Sequence, residues 1–228
     1  MMKLRLLRKE PMDGGIVSFV WESPAEFSWQ PGQYAKYTLL HENPDDRGTE
    51  RWFTIAAPPF EGKPRITTRI AAEKGSSFKK ALLALEPGDT IEADAPEGDF
   101  VLNDLGAEYV FLAGGIGFTP FHAILTQLDR DGRVPKITIL YGARDDHPTY
   151  REELDKLAAK HPDLKVHYIV EPQRINAAII KKYVSDLKAP YFYVSGPEPM
   201  VDAFDDILQG MGVPEDHIKN DHFPNYTW

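Results

Sequence analysis

Ala113-Gly114-Gly115-Ile116-Gly117-Phe118-Thr119-Pro120 stands between an apolar run, Tyr109–Ala113, and a helix-compatible segment, Pro120–Arg130. Glycines directly after a buried strand let backbone approach a pyrophosphate, and the N-terminus of the helix that follows stabilises its charge. Gly114, Gly115, Gly117 and Thr119 are therefore candidate nucleotide-binding residues. The pattern departs from Gly-x-Gly-x-x-Gly because Pro120 stands where the third glycine belongs, although proline suits the first position of a helix. A plain Gly-rich strand–helix turn is the alternative reading. Outward from this stretch the rhythm continues as Lys136–Tyr141, Tyr150–Lys160, Lys165–Val170, Asn176–Val184, Tyr191–Val194 and Met200–Met211, apolar strands alternating with helical segments. That alternation predicts a parallel sheet with helices on both faces.

Toward the N-terminus the rhythm differs. Ile16–Trp21, Tyr34–Leu40, Arg51–Ala56, Arg65–Ile70 and Thr90–Ala93 are short β-rich runs separated by Gly, Pro and Asp, which predicts an antiparallel barrel or sandwich. One helix interrupts it after the cap residues Ser76-Ser77, and Pro87-Gly88-Asp89 ends that helix with a turn. A linker near Asn103–Gly106 divides the chain into an antiparallel β-barrel domain, 1–104, and a parallel-sheet α/β domain, 105–228. Each half of a 228-residue chain is large enough for its own core.

Composition excludes several functions. A formal charge of −9 disfavours a nucleic-acid binder, whose phosphate contacts need clustered Lys and Arg. With no cysteine, thiolate-held iron–sulfur clusters, Cys-based zinc sites, disulfides and cysteine nucleophiles are ruled out, so redox chemistry requires an organic cofactor. The histidines show no metal-ligand spacing, and no nucleophile elbow, Lys-bearing phosphate loop or zinc-protease signature is present. The most apolar segment, Tyr109–Leu125, is broken by glycines, Pro120 and His122 and falls short of a membrane span. The first fifteen residues lack the apolar stretch of a signal peptide, which leaves a cytoplasmic location as the expectation.

Four motifs in order carry a resemblance to the ferredoxin–NADP reductase superfamily. Arg51-Trp52-Phe53-Thr54 resembles its Arg-x-Tyr/Phe-Ser/Thr flavin motif, and Pro96-Glu97-Gly98-Asp99-Phe100 its Pro-x-Gly-x-Phe stretch. Gly114-Gly115-x-Gly117-x-Thr119-Pro120 is similar to the opening of its nicotinamide domain. Ser195-Gly196-Pro197-Glu198-Pro199-Met200 is similar to its Cys-Gly-Pro-x-x-Met. The resemblance implies a flavin-binding β-barrel, an NAD(P)-binding α/β domain, and hydride transfer from NAD(P)H to FAD, with FMN the less favoured flavin.

Alternation along a strand places Arg51 and Phe53 on one face and Thr54 on the other. An arginine can grip a phosphate bidentately and an aromatic ring can lie on a flavin. The resemblance implies phosphate binding at Arg51, ring contact at Phe53 and a hydrogen bond near the reactive ring nitrogen at Thr54; a strand with one exposed Arg and one buried Phe is the alternative. It implies flavin phosphates at Gly75-Ser76-Ser77, where simple N-capping is the alternative, and pyrimidine-edge bonds from Arg69 and Ile70. It places Ser195, in the family's cysteine position, beside the nicotinamide together with Gly196, Pro197 and Met200. Arg144, with Tyr150 and Arg151 nearby, ends a strand where nucleotides bind; a ribose or 2′-phosphate contact and a solvated charge are both open. In the tail, Phe223 is the first choice to cover the flavin, followed by Tyr226 and Trp228, against the alternative of aromatics pinning a terminal strand.

The implied acceptor is external: a ferredoxin, a flavodoxin or a small molecule, with an acidic surface opposing an acidic ferredoxin. A non-catalytic or slow electron-relay subunit of a larger redox complex is the competing reading, and a flavin-free nucleotide-binding protein a blander one. No apolar helix face or heptad stripe is left over for an interface, so a monomer is expected.

Overall fold

In the computed structural model, which describes residues 1–70 and 75–221, the chain divides after Val101 into two compact units. The first holds β1 (Met2–Met12), β2 (Ile16–Glu22), β3 (Tyr34–Thr38), β4 (Glu50–Thr54), β5 (Arg65–Arg69), α1 (Ser77–Ala84) and β6 (Thr90–Ala93). These strands form one antiparallel sheet in the order β4-β3-β6-β1-β2-β5. The sheet curls: just beyond β4, Ala56 N–H donates to Arg65 C=O at 2.8 Å, although no ladder joins the outer strands β4 and β5. It is barrel-like without being closed. Leu4, Leu6, Phe19, Trp21, Tyr37, Ile55 and Ile66 fill its interior with Phe78 and Leu82 of α1.

The longest strand, β1, is absent from the expected runs. Its pairing with β2 shifts register between Leu6 and Arg8, and such a bulge shifts the side-chain alternation that marks a strand. Leu4 and Leu6 point inward before the shift, while charged and half-buried residues follow it.

The second unit holds β7 (Tyr109–Gly114), α2 (Thr119–Asp131), β8 (Ile137–Ala143), α3 (Arg151–Lys160), β9 (Leu164–Val170), α4 (Ala177–Tyr183), β10 (Tyr191–Ser195), α5 (Glu198–Gly210) and β11 (Ile218–Asp221). All five strands are parallel, in the order β9-β8-β7-β10-β11. Residues of β7 alternate between two apolar layers. Val110 and Leu112 join Ile180 of α4 and Val201, Phe204 and Leu208 of α5, whereas Phe111 stacks on Phe121 of α2 at 4.5 Å. Helices therefore cover both faces of an all-parallel sheet, as strands buried on both sides require. The chain reverses its winding between β7 and β10, and the crevice outside the carboxyl ends of those strands is the place where such sheets bind ligands.

Candidate functional site

In the second unit, two loops meet at that crevice. The stretch after β7 runs from Gly114 through a 3-10 turn, Gly115–Phe118, into α2. The stretch after β10 runs from Ser195 through Gly196 and Pro197 into α5. Their contact is backbone on backbone: a Cβ at Gly117 would stand 2.6 Å from Gly196 N and 2.7 Å from Ser195 C. A Cβ at Gly114 would stand 2.8 Å from Met200 Cε and 3.3 Å from Pro197 Cδ. Gly117 is thus required by the backbone fit of one loop against the other, while a Cβ at Gly114 or Gly196 would meet chiefly the flexible Met200 thioether, which fills the space between. Only Gly115 answers the reason the sequence pointed to. It is exposed, has φ 54°, and no atom of the described residues lies within 4 Å of where its Cβ would be, so open space among them borders the turn into α2. That space borders the N-terminus of α2, where the backbone N–H groups and the helix dipole favour an anion.

Supports surround the loop. The Tyr141 hydroxyl donates to Gly115 C=O at 2.8 Å, and its ring stacks on Phe118 at 4.6 Å. Thr119 and Pro120 are buried, and Pro120 is the second residue of α2. Ser195 is 2% exposed and its hydroxyl donates to Asp221 Oδ2 at 2.8 Å, a pair fixed by the β10–β11 register. Asp221, itself 6% exposed, is a partner of Ser195 that the sequence pattern did not isolate. Arg144, one residue past β8, is exposed. Its neighbours are engaged elsewhere: Tyr150 stacks on His122 at 4.0 Å, and Arg151 donates to Asp146 C=O at 2.5 Å and lies 4.4 Å over the Tyr168 ring.

In the first unit, β4 pairs Tyr37 with Arg51, Ala35 with Phe53 and Tyr34 with Thr54. Arg51 and Phe53 share the inner face with Tyr37, and Trp52 and Thr54 share the outer one with Tyr34. Phe53 is 6% exposed, with its ring 6.1 Å from Tyr37 and 5.9 Å from Phe78. It is packed as a core residue, which leaves little ring face for a flavin. The aromatic side chain beside Thr54 is that of Tyr34, which the sequence reading passed over. Gly98 explains the Pro-x-Gly-x-Phe stretch: at φ 105° it passes so close to Tyr34 that a Cβ would come within 2.8 Å of the ring. The Gln33 amide donates to Gly98 C=O at 3.2 Å.

Arg51 is 8% exposed. Its Nη1 donates to the carbonyls of Arg47 (2.6 Å), Gly48 (3.3 Å) and Glu50 (2.5 Å), its Nη2 to Asp45 Oδ1 (3.3 Å), and its guanidinium lies 5.4 Å over Phe78. The guanidinium thus holds the β3–β4 loop. At the tip of α1, Ser76 is the N-cap, its hydroxyl accepting from Lys79 N–H at 3.2 Å. Ser77 is taken up by the same loop. Its N–H donates to Asp45 Oδ2 and its Oγ accepts from Asp45 N–H, both at 2.9 Å. His41 Nδ1 donates to Leu39 C=O, so in the neutral ring Nε2, at 3.0 Å, accepts the Ser77 proton. Asp45 also accepts from Arg47 N–H and Nη2. Burial pushes its carboxyl up, but the Ser77 N–H and the Arg47 groups outweigh that and hold it down at about 2. Burial, and then the nearby charges of Arg47, Arg51 and Arg69, bring Lys79 down to about 8.

Arg69 Nη1 donates to Gly14 C=O at 2.6 Å, Arg69 C=O accepts from Lys79 Nζ at 3.1 Å, and Ile70 N–H donates to Gly15 C=O at 2.8 Å. These backbone groups serve the unit's own framework. Gly75 is half-buried ahead of the cap. Phe223, Tyr226 and Trp228 lie outside the described residues. Among the described residues no group of three or more His, Asp or Glu is arranged to hold a metal ion, and no helix is long and apolar enough to cross a membrane.

Residues 111–206 match the family described as the oxidoreductase NAD-binding domain. A subunit of the Na(+)-translocating NADH-quinone reductase of Yersinia pseudotuberculosis is 29% identical, over 89% of this chain and 55% of that protein. The chain thus spans about half the length of the curated relatives it matches. Among solved structures, the flavohem-like FAD/NAD-binding domain of nitric oxide dioxygenase from Vibrio cholerae superposes with TM-score 0.79 at 19% identity, over 96% of this chain and 97% of that one. The cytochrome b5 reductase domain of Ulva prolifera nitrate reductase gives 0.79 at 21% identity, with 96% and 97% covered. Taken with the barrel-like sheet and the parallel sheet that follows it, these likenesses show the fold of FAD- and NAD-binding reductase domains and support the resemblance to the ferredoxin–NADP reductase-like superfamily.

Proposed function

We propose that the chain takes electrons from a nicotinamide nucleotide and passes them through a bound flavin, FAD in preference to FMN, to an acceptor outside it. The observation that carries this reading is the meeting of the Gly114–Gly117 and Ser195–Pro197 loops at the point where the parallel sheet reverses its winding, with open space over Gly115. When bound, the flavin supplies the chemistry, accepting hydride from the nicotinamide and releasing electrons afterwards.

The residues supply position and charge. The turn at Gly115 and the N-terminus of α2 hold the nucleotide pyrophosphate. Exposed Arg144, at a strand end, contacts the adenosine ribose or its 2′-phosphate. Ser195, fixed by Asp221, limits how closely the nicotinamide seats over the β10 end. In the first unit Arg51 and the tip of α1 hold flavin phosphate, and Thr54 with Tyr34 presents a hydroxyl and an aromatic face on the outer side of β4. The 1–104 segment is thereby the flavin domain and the remainder the NAD(P) domain.

Acceptors compatible with this reading are a ferredoxin, a flavodoxin or a small molecule. A second reading, an electron-relay component of a larger redox complex, is favoured by one observation: the relatives matched over 89% of the chain are named as subunits of such a complex. The test is an absorption spectrum of the purified protein followed by anaerobic NADPH and NADH in separate samples. Flavin bands that bleach with either nucleotide are expected; a colourless protein that takes up no added flavin sinks the proposal. Fast turnover with artificial acceptors favours the enzyme, and bleaching with slow turnover favours the relay.

A further inference from the structure

The tip of α1 already holds an anion, and it belongs to the chain. Asp45 lies 32 residues before Ser77, yet its carboxylate accepts from the Ser77 N–H, from the Arg47 N–H and side chain, and from Arg51 Nη2. Arg51 and Ser77 are also the groups assigned above to flavin phosphate. A carboxylate and a phosphate carry the same sign, and each demands charge-assisted donors, so the two cannot share these donors at full strength.

We infer that Asp45 is a built-in competitor for the flavin phosphate, a displaceable latch whose carboxylate occupies the α1 cradle and must turn out of it when the cofactor binds. The inference rests on the flavin reading above. The geometry gives the latch a way to open. Arg51 Nη1 is held by the carbonyls of Arg47 and Gly48 in the loop and of Glu50 in β4, whereas the bond from Nη2 to Asp45 is long, at 3.3 Å. Exchanging Asp45 for phosphate therefore need not move the Nη1 side of the guanidinium. Lys79, within the field of Arg47, Arg51 and Arg69, adds a further cation beside the cradle. Flavin affinity is accordingly set by a contest between two anions, and a flavin without phosphate escapes it.

The experiment measures dissociation constants of FAD, FMN and riboflavin for flavin-free full-length protein, comparing wild type with Asp45→Asn and Asp45→Ala. The latch predicts that FAD and FMN bind about tenfold tighter in Asp45→Asn while riboflavin is unchanged, a tenfold step being about 1.4 kcal/mol. Weaker or unchanged FAD and FMN binding overturns it, since Asp45 would then be a strut that shapes the cradle. Thermal melts report whether the variants fold. Should they not, wild-type amide signals decide: FMN, but not riboflavin, shifts Ser77 and Arg47, and equal shifts with both overturn the latch. Failure of every form to bind any flavin overturns the flavin reading itself, and the latch falls with it.

Discussion

The N-termini of α1 and α2 look alike in sequence, each a glycine-bearing turn opening a helix, and each resembles an anion site. Their surroundings differ. At α2 the glycines fit two loops together and leave one position, Gly115, open to solvent. At α1 the hydroxyl and N–H of Ser77 are consumed by a loop from elsewhere in the unit, and a carboxylate occupies the cradle. A helix N-terminus is therefore an offer of donors rather than a vacancy, and the fold decides whether the chain accepts its own offer.

Gly117→Val would break this comparison most severely. Its Cβ would press on backbone atoms of Gly196 and Ser195, which cannot rotate aside as a side chain could. Overpacking of that kind costs about 3 kcal/mol. The expected result is a lower melting temperature and loss of nicotinamide-dependent flavin bleaching with flavin binding retained. Normal bleaching would mean the loops do not need their close fit.

Arg51→Ala tests the other site. Removing a buried guanidinium deprives three carbonyls of a donor and the cradle of its cation, and one charged hydrogen bond contributes about 2 kcal/mol. A fall in FAD affinity of about 30-fold is expected by fluorescence titration, with riboflavin affected less. Ser195→Ala is a smaller perturbation. It deprives buried Asp221 of its hydroxyl donor and should lower stability by about 1 to 2 kcal/mol in urea melts. No change in the urea midpoint would show that Asp221 is held by its other surroundings.

The smallest effect belongs to Lys79. Its folded-state pKa of about 8 lies below the ordinary 10.5, so between those values the unfolded chain carries a proton that the folded chain has lost. Stability contributed by this group therefore rises with pH across that window, and below about 8 the penalty of a buried charge is fully present. Denaturant melts at two pH values inside the window should show that rise in wild type and a flatter response in Lys79→Met. Equal slopes would remove Lys79 from the cradle's electrostatics.

Much of the second unit was legible because its signals are local. Apolar strands and helical segments alternate along the chain, and the glycine loop sits at one of their junctions. What escaped depended on contacts distant in sequence. The bulge in β1 interrupted the alternation that would have revealed the strand. β11, Ile218-Lys219-Asn220-Asp221, has no apolar pattern and is a strand because β10 pairs with it. Asp45 and Asp221 are charged residues of a common kind until the fold sets them against Ser77 and Ser195, 32 and 26 residues away. Phe53 was legible as an aromatic on the same face as Arg51. That this face is the core could be known only once Tyr37 and Phe78 had been placed around it.

The strands that carry the two sites also differ in how their backbone is guarded. β7 lies between β10 and β8, bonded on both sides, so its amides exchange with deuterium only when much of the sheet opens. β4 is an outer strand with a regular ladder to β3 alone, and its amides can exchange by fraying at that edge. The glycine loop thus hangs from a strand guarded by a ladder on both sides, while Arg51 rides on one guarded by a ladder on one side. In deuterium labelling the cradle's strand should take up label well before the unit melts, and the nucleotide loop's strand only as its sheet comes apart.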